Sequence, residues 1–211
     1  MPNTTKKLKQ NILSQFAARN SMVIVLIFFV VVCTIISEGR FLRPSNVTTI
    51  LYQLSIVGVI ALGQLIIIIS GGIDLSVASV AILSAVIMGG TSSLRQQVLS
   101  FSGVLPYLGL VPAIIVGLLV GVLIGLVNGL IIAYTGVPPF ITTLATMLIS
   151  SGIAMILTGG APIYYPHKFF TSYGDYKILG LSCSVYTWIL FLILIGILLH
   201  KKLNSGQKFM Q

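Results

Sequence analysis

The sequence has 211 residues, of which 56% are hydrophobic and 7% charged, with a net charge of +9 and a mean hydropathy of +1.09. Soluble domains carry about 25% charged residues, so this composition excludes a soluble globular domain and predicts an integral membrane protein. The basic residues cluster at the two ends and otherwise stand singly in loops, with no basic face interleaved with aromatics; they read as a topology signal, and no nucleic-acid partner is expected.

Apolar runs near the length of a membrane helix recur, and the alternation of a membrane barrel is missing. The expected fold is therefore all-α, a polytopic membrane helix bundle of about six transmembrane helices with two tight breaks. Residues 1–21 are polar and basic, with Lys6, Lys7, Lys9 and Arg19, and read as a cytoplasmic N-terminus. The first apolar run, Met22 to Ser37, is long and lacks a small-residue cleavage site, which reads as a retained helix rather than a signal peptide. The second span is expected over Thr49 to Ile69. After a Gly-Gly-Ile-Asp break the third runs from Leu75 to Met88. A polar loop, "GGTSSLRQQVLSFSG", precedes the fourth span, Val111 to Tyr134. A second break, "TGVPPF", precedes the fifth, Ile141 to Leu157. The longer loop "TGGAPIYYPHKFFTSYGDYKILG" leads to the sixth, Val185 to Leu199. Residues 22–200 thus form the transmembrane domain, and 201–211 a cytoplasmic tail.

Six spans put both termini on one side of a lipid bilayer. The terminal basic residues outnumber those of the opposite loops seven to five, so both ends are predicted to be cytoplasmic in a multi-pass protein of the cell membrane. The breaks then lie toward the cytoplasmic half. The two long loops and Trp188, a residue suited to an aromatic belt, lie toward the outside.

The first break contains Asp74, one of only 3 acidic residues. Gly71 and Gly72 can take the left-handed conformation that closes a helix. Asp74 or Ser76 can accept hydrogen bonds from the start of the next helix. The carboxylate reads first as a cap inside a protein-covered break, where the helix dipole favours negative charge. The alternative is a proton or ion relay, since intramembrane carboxylates often mark pathways. At the second break Gly136 can close the fourth span, while Pro138 and Pro139 stop it and suit the first turn of the fifth. Thr142 and Thr143 can bond back to local carbonyls.

Gln53, Gln64, Asn128, Thr143 and Thr146 are polar groups inside the spans. Each reads as a helix-to-helix hydrogen bond or as a group lining a watery path. "VGVIALGQLIIIISGG" loosely matches "VGVLIGLVNGLIIAYTG". Gln64 and Asn128 take similar places in this weak repeat, so with Thr143 they are the candidate pathway-lining residues. Gly117, Gly121, Gly125 and Gly129 fall on one helix face, which reads as close packing within the chain or at a subunit contact. Cys33 and Cys183 have neither metal nor disulfide spacing. His167 and His200 read as ordinary surface residues. There is no phosphate-cradling loop and no nucleophile–base set, so no catalytic residue, metal or cofactor is expected on this chain.

The stretch "GGIDLSV" after a long apolar span resembles the signature of the permease subunits of ABC sugar importers of the ribose, xylose, galactoside and autoinducer-2 type. The likeness extends through "FLRPSNVTTILYQLSIVGVIALGQLIIIISGGIDLSVASVAILSAV" and "GLVNGLIIAYTGVPPFITTLATMLISSGIAMILTGGAPI". It covers nearly all of the chain from Phe41 onward. Ala78 stands where the family usually has a glycine, a change a helix tolerates. The resemblance implies a bundle of about ten membrane helices, paired with itself or with a second permease subunit. It also implies an extracytoplasmic sugar-binding protein and a cytoplasmic ATP-binding subunit that hydrolyses ATP on a separate chain. In such proteins the glycine–aspartate break is a shared scaffold feature.

In relatives the segment resembling "LHKKLNSGQKFMQ" leads into a coupling helix and about four further membrane helices. This sequence is therefore expected to be the N-terminal part of a permease, whether a truncated gene product, half of a split gene or a fragment. Two other readings stay open: a secondary transporter using Asp74 as its ion or proton site, and a non-transporting permease remnant.

Overall fold

The computed structural model describes residues 20–95, 104–164 and 166–208, the last eight by backbone alone. The chain divides into two compact units, Met1–Ile50 and Leu51–Gln211. The expected N-terminal basic segment and most of the loop after the third span lie outside the described residues.

In the first unit, α1 spans Ser21–Ile36. It is apolar but for Ser21 and Thr34 and has no buried residue, as suits a helix surrounded by lipid. It closes through Gly39, which has φ +79° and donates to the Thr34 carbonyl at 2.8 Å. A 3₁₀ turn, Arg40–Leu42, follows. The next helix, α2, spans Pro44–Ile69 and starts five residues before the expected Thr49. The reason is local: Pro44 suits the first helical position, and the Asn46 side chain donates to the Phe41 carbonyl at 2.7 Å.

The second unit holds the rest of α2 and then α3 (Val77–Ser92), α4 (Leu110–Thr135), α5 (Pro139–Thr158), α6 (Lys168–Asp175), a hairpin of β1 (Lys177–Ile178) and β2 (Leu181–Ser182), and α7 (Cys183–Lys208). Helix α3 packs along α4 and α5, which also pack on each other. It runs four residues beyond the expected Met88. Thr91 and Ser92 satisfy their hydroxyls on the carbonyls of Ile87 and Gly89, and the Thr91 carbonyl accepts from the Leu108 amide at 3.0 Å. What reads as loop is thus the buried end of a helix. The backbone of α7 likewise continues past His200 to Lys208.

Among the described residues, four apolar side chains are buried, Leu83, Ala113, Ala154 and Val185, against ten Ser, Thr and Asn side chains. That is the reverse of a water-soluble core. In lipid there is no hydrophobic drive between helices, so small residues and hydrogen bonds make the contacts while the large apolar side chains face outward. Gly117 shows the closeness: a Cβ there would lie 2.8 Å from Met88 Cε and 3.1 Å from the Ser84 carbonyl. Trp188 lies half-buried on α7, with its indole where a Gly58 side chain would be.

The structure is an all-α membrane bundle. Four helices, α2, α4, α5 and the Cys183–His200 part of α7, are long and apolar enough to cross a membrane. The apolar α1 and α3 have 16 residues each. At 1.5 Å per residue they reach about 24 Å, short of the roughly 30 Å hydrocarbon core. For α3 the shortfall follows from the break that starts it.

Candidate functional site

The first break is built from its backbone outward. Gly71 has φ +80°, and the amides of Gly71 and Gly72 return to the carbonyls of Ile68 and Ile67, each at 3.0 Å. Two orphan carbonyls of α2 are thereby satisfied. The chain then runs without regular structure to Ser76. Asp74 Oδ1 accepts from both the Ser76 amide and the Ser76 hydroxyl, each at 2.6 Å. Ser76 is 1% exposed and occupies the N-cap position of α3, but it gives that helix no side-chain cap. Its hydroxyl is taken by Asp74 instead. The carboxylate therefore acts one step earlier than a direct cap, by fixing the residue from which α3 departs.

The Ser76 hydroxyl also accepts from Asn128 Nδ2 at 3.3 Å. Asn128, on α4 and 5% exposed, accepts in turn from the Thr146 hydroxyl of α5 at 2.6 Å. One chain of hydrogen bonds, Asp74–Ser76–Asn128–Thr146, thus joins the break to three helices. Such bonds hold best when every member has a partner.

The second break meets the first. Gly136 has φ +69° and closes α4, and Pro139 opens α5. The Thr143 hydroxyl, on the next turn, bonds to the Pro139 carbonyl at 2.8 Å and lies 3.5 Å from the carbonyl of Ile73 in the first break. Thr142 is buried, and its hydroxyl has no partner among the described residues.

Among the expected pathway residues, the structure brings Asn128 and Thr143 together at the breaks. Gln64 stands apart, half-buried on α2. A cleft of about 300 Å³ opens beside Asp74 and Ser76, lined also by Gly63, Ser84, Gly121 and Gly125. The glycine stripe of α4 therefore has two uses. Gly117 lies tight against α3, and Gly125 opens onto the cleft. A second groove of about 450 Å³ lies between α4 and α5, mostly apolar, with Asn128, Thr142, Thr146 and Ser150 among its lining. The cleft offers the Asp74 carboxylate and the Ser84 hydroxyl beside glycine backbone and the apolar side chains of Ile67, Val77 and Val80. It can exchange hydrogen bonds with a neutral polar solute. Among the described residues no group of three or more His, Cys, Asp or Glu could hold a metal ion.

Sequence reasoning found the breaks through their Gly and Pro residues. It did not find the partnership of Ser76 with Asn128, which lie 52 residues apart. It also missed α6, where His167 Nδ1 accepts from the Phe169 amide at 3.2 Å. A histidine read as an ordinary surface residue starts a helix there.

The fold therefore defines a multi-pass helical membrane protein, with glycine-broken helices beside a mostly apolar cleft that holds one carboxylate. Residues 46–209 match the family described as "Branched-chain amino acid transport system / permease component", and the chain belongs to that family. It is 38% identical over 177 residues to the "Ribose import permease protein RbsC" of Bacillus subtilis (strain 168), covering 83% of this chain and 51% of that protein. It is 30% identical over 179 residues to the "L-arabinose ABC transporter permease protein AraH" of Azospirillum brasilense, covering 84% and 49%. With the "Xylose transport system permease protein XylH" of Escherichia coli (strain K12) it shares 36% over 156 residues, covering 74% and 36%. The chain spans about half the length of the first of these relatives. No solved structure matches it.

Proposed function

We propose that this chain supplies part of the membrane permease subunit of an ABC-type importer, forming part of the path for a monosaccharide such as ribose. The observation that carries the reading is the hydrogen-bonded junction of two broken helices beside the Asp74 cleft, in a chain of a permease family. The family description names branched-chain amino acids, whereas the similar relatives are named for ribose, xylose and arabinose. Identity across most of this chain lies with the latter, which favours a sugar over an amino acid. ATP is bound and hydrolysed on a separate subunit, an extracytoplasmic binding protein delivers the sugar, and a second permease subunit completes the path. The chain itself is no enzyme, and both termini face the cytoplasm.

Within this reading Asn128 and Thr143 hold the two breaks in register, and Gln64 stays a candidate lining residue on α2. Asp74 serves as a scaffold anion, since one of its oxygens is committed to both donors of Ser76. The test is disruption of the gene in its own cells, followed by uptake of radiolabelled ribose, xylose and arabinose. The reading expects uptake of at least one to fall to background, with return on complementation. Unchanged uptake of all three would remove the sugar assignment.

A further inference from the structure

The segment from α6 through the hairpin carries a cluster of exposed apolar and aromatic groups that no function above uses. Phe169 and Tyr173 stack along α6, with ring centroids 6.1 Å apart. Both are exposed, as are Tyr176, Ile178 and Leu179. Phe170, their neighbour, turns instead into a groove with Met88 and Ile163. The exposed face is thus a distinct side of the segment.

Leu179 is the sharpest anomaly. It is 95% exposed and has φ +48°, with Gly180 following at φ +84°. A two-residue hairpin turn with both φ values positive favours Asn or Gly at the first position. Leucine pays a steric cost there and gains no burial among the described residues. A local rule broken without internal compensation points to a partner outside the chain.

Position names that partner. The Tyr186 hydroxyl donates to the Ile178 carbonyl at 2.8 Å. The Tyr173 hydroxyl bonds to Thr187 and lies 3.4 Å from the Cys183 carbonyl. Cys183, Tyr186 and Thr187 all belong to the first five residues of the apolar span Cys183–His200. The hairpin and α6 are therefore tied down to the mouth of a membrane-crossing helix. Leu179 precedes that helix by four residues, a reach of at most about 14 Å of extended chain. The polar headgroup zone is roughly 5–8 Å thick on each side of the hydrocarbon. Lys168 and Lys177 are exposed beside the aromatics, with Asp175 as the opposing charge. Aromatic rings, an apolar tip and lysines at the end of a span match the chemistry of a phospholipid interface.

We propose that α6 and the hairpin form an interfacial anchor, with Leu179 inserted among lipid headgroups and the lysines beside lipid phosphates. The anchor fixes the depth and rotation of α7 in the bilayer. It is independent of which side of the membrane it occupies.

The test places an environment-sensitive fluorophore on Leu179→Cys in a Cys33→Ser, Cys183→Ser background. The protein is reconstituted without any partner into phosphatidylcholine vesicles, with and without phosphatidylglycerol. A second protein labelled through Tyr176→Cys guards against a local effect of the turn. Expected are strong quenching by lipids carrying a nitroxide near the headgroup and iodide quenching several-fold weaker than for the dye on free cysteine. Full iodide access with no quenching by the lipid probes, at both positions, would overturn the proposal. That result would instead fit a surface waiting for a soluble protein. Fluorescence that changes with protein-to-lipid ratio would also overturn it, by showing contact between copies of the chain.

Discussion

Asp74 and Ser76 form one unit, because the same carboxylate oxygen takes the amide and the hydroxyl of one residue. Replacing Asp74 by Ala removes both charge-assisted bonds and should cost about 1.5–3 kcal/mol, read as a lower melting temperature in detergent. Asn keeps the acceptor and should cost much less; equal losses for Ala and Asn would mean that the charge itself holds the break. Asn128 is the next link. Its replacement by Leu leaves the Ser76 and Thr146 hydroxyls without a shared partner, at about 1–3 kcal/mol. A double-mutant cycle of Asn128→Ala with Thr146→Val should give a coupling of about 0.6–1.7 kcal/mol, the range of hydrogen bonds between membrane helices. Zero coupling would show that the bond contributes nothing.

At the scale of elements, the glycine stripe of α4 is graded. A side chain at Gly117 meets Met88 and the backbone of Ser84, whereas none of the described atoms lies within 4 Å of a Cβ at Gly129. Gly117→Val should destabilise by about 1–3 kcal/mol through overpacking. Gly129→Ala should be neutral or stabilise by up to about 1 kcal/mol through helix propensity. Thermal melts of the two variants side by side decide this, and the reverse order would mean that α3 and α4 meet elsewhere. The stripe was visible in the sequence as a four-residue spacing. Its division into a tight half and an open half was not, because it depends on which turns of α4 the helix α3 packs against. The end of α3 was misjudged at Met88, since "GGTSS" has loop composition and becomes helical only by burial against neighbouring elements. The hairpin and α6 were hidden for a similar reason. They sit in a polar stretch whose order comes from Tyr173 and Tyr186 bonding to residues that follow or precede them around a turn.

For the whole molecule, the apolar runs revealed six helical segments because lipid selects long apolar runs, although among the described residues only four are long enough to cross, α1 and α3 having 16 residues each. Contacts between helices were far less legible. They rest on Ser, Thr, Asn and Gly, which also populate loops. The exposed apolar surface is extensive, from Met22 on α1 to Leu198 on α7. Washing membranes with alkaline carbonate should leave the protein wholly in the pellet; release into the supernatant would contradict a multi-pass bundle.

On the proposed reading Asp74 is a scaffold of a sugar path and not an ion relay. The most direct test is uptake, in its own cells, of the sugar whose transport depends on this gene, with Asp74→Asn in place of the native residue. The account predicts uptake within a few-fold of the native level and an unchanged dependence on external pH. Loss of uptake with normal amounts of the protein in the membrane would contradict it and return Asp74 to the role of an ion or proton site.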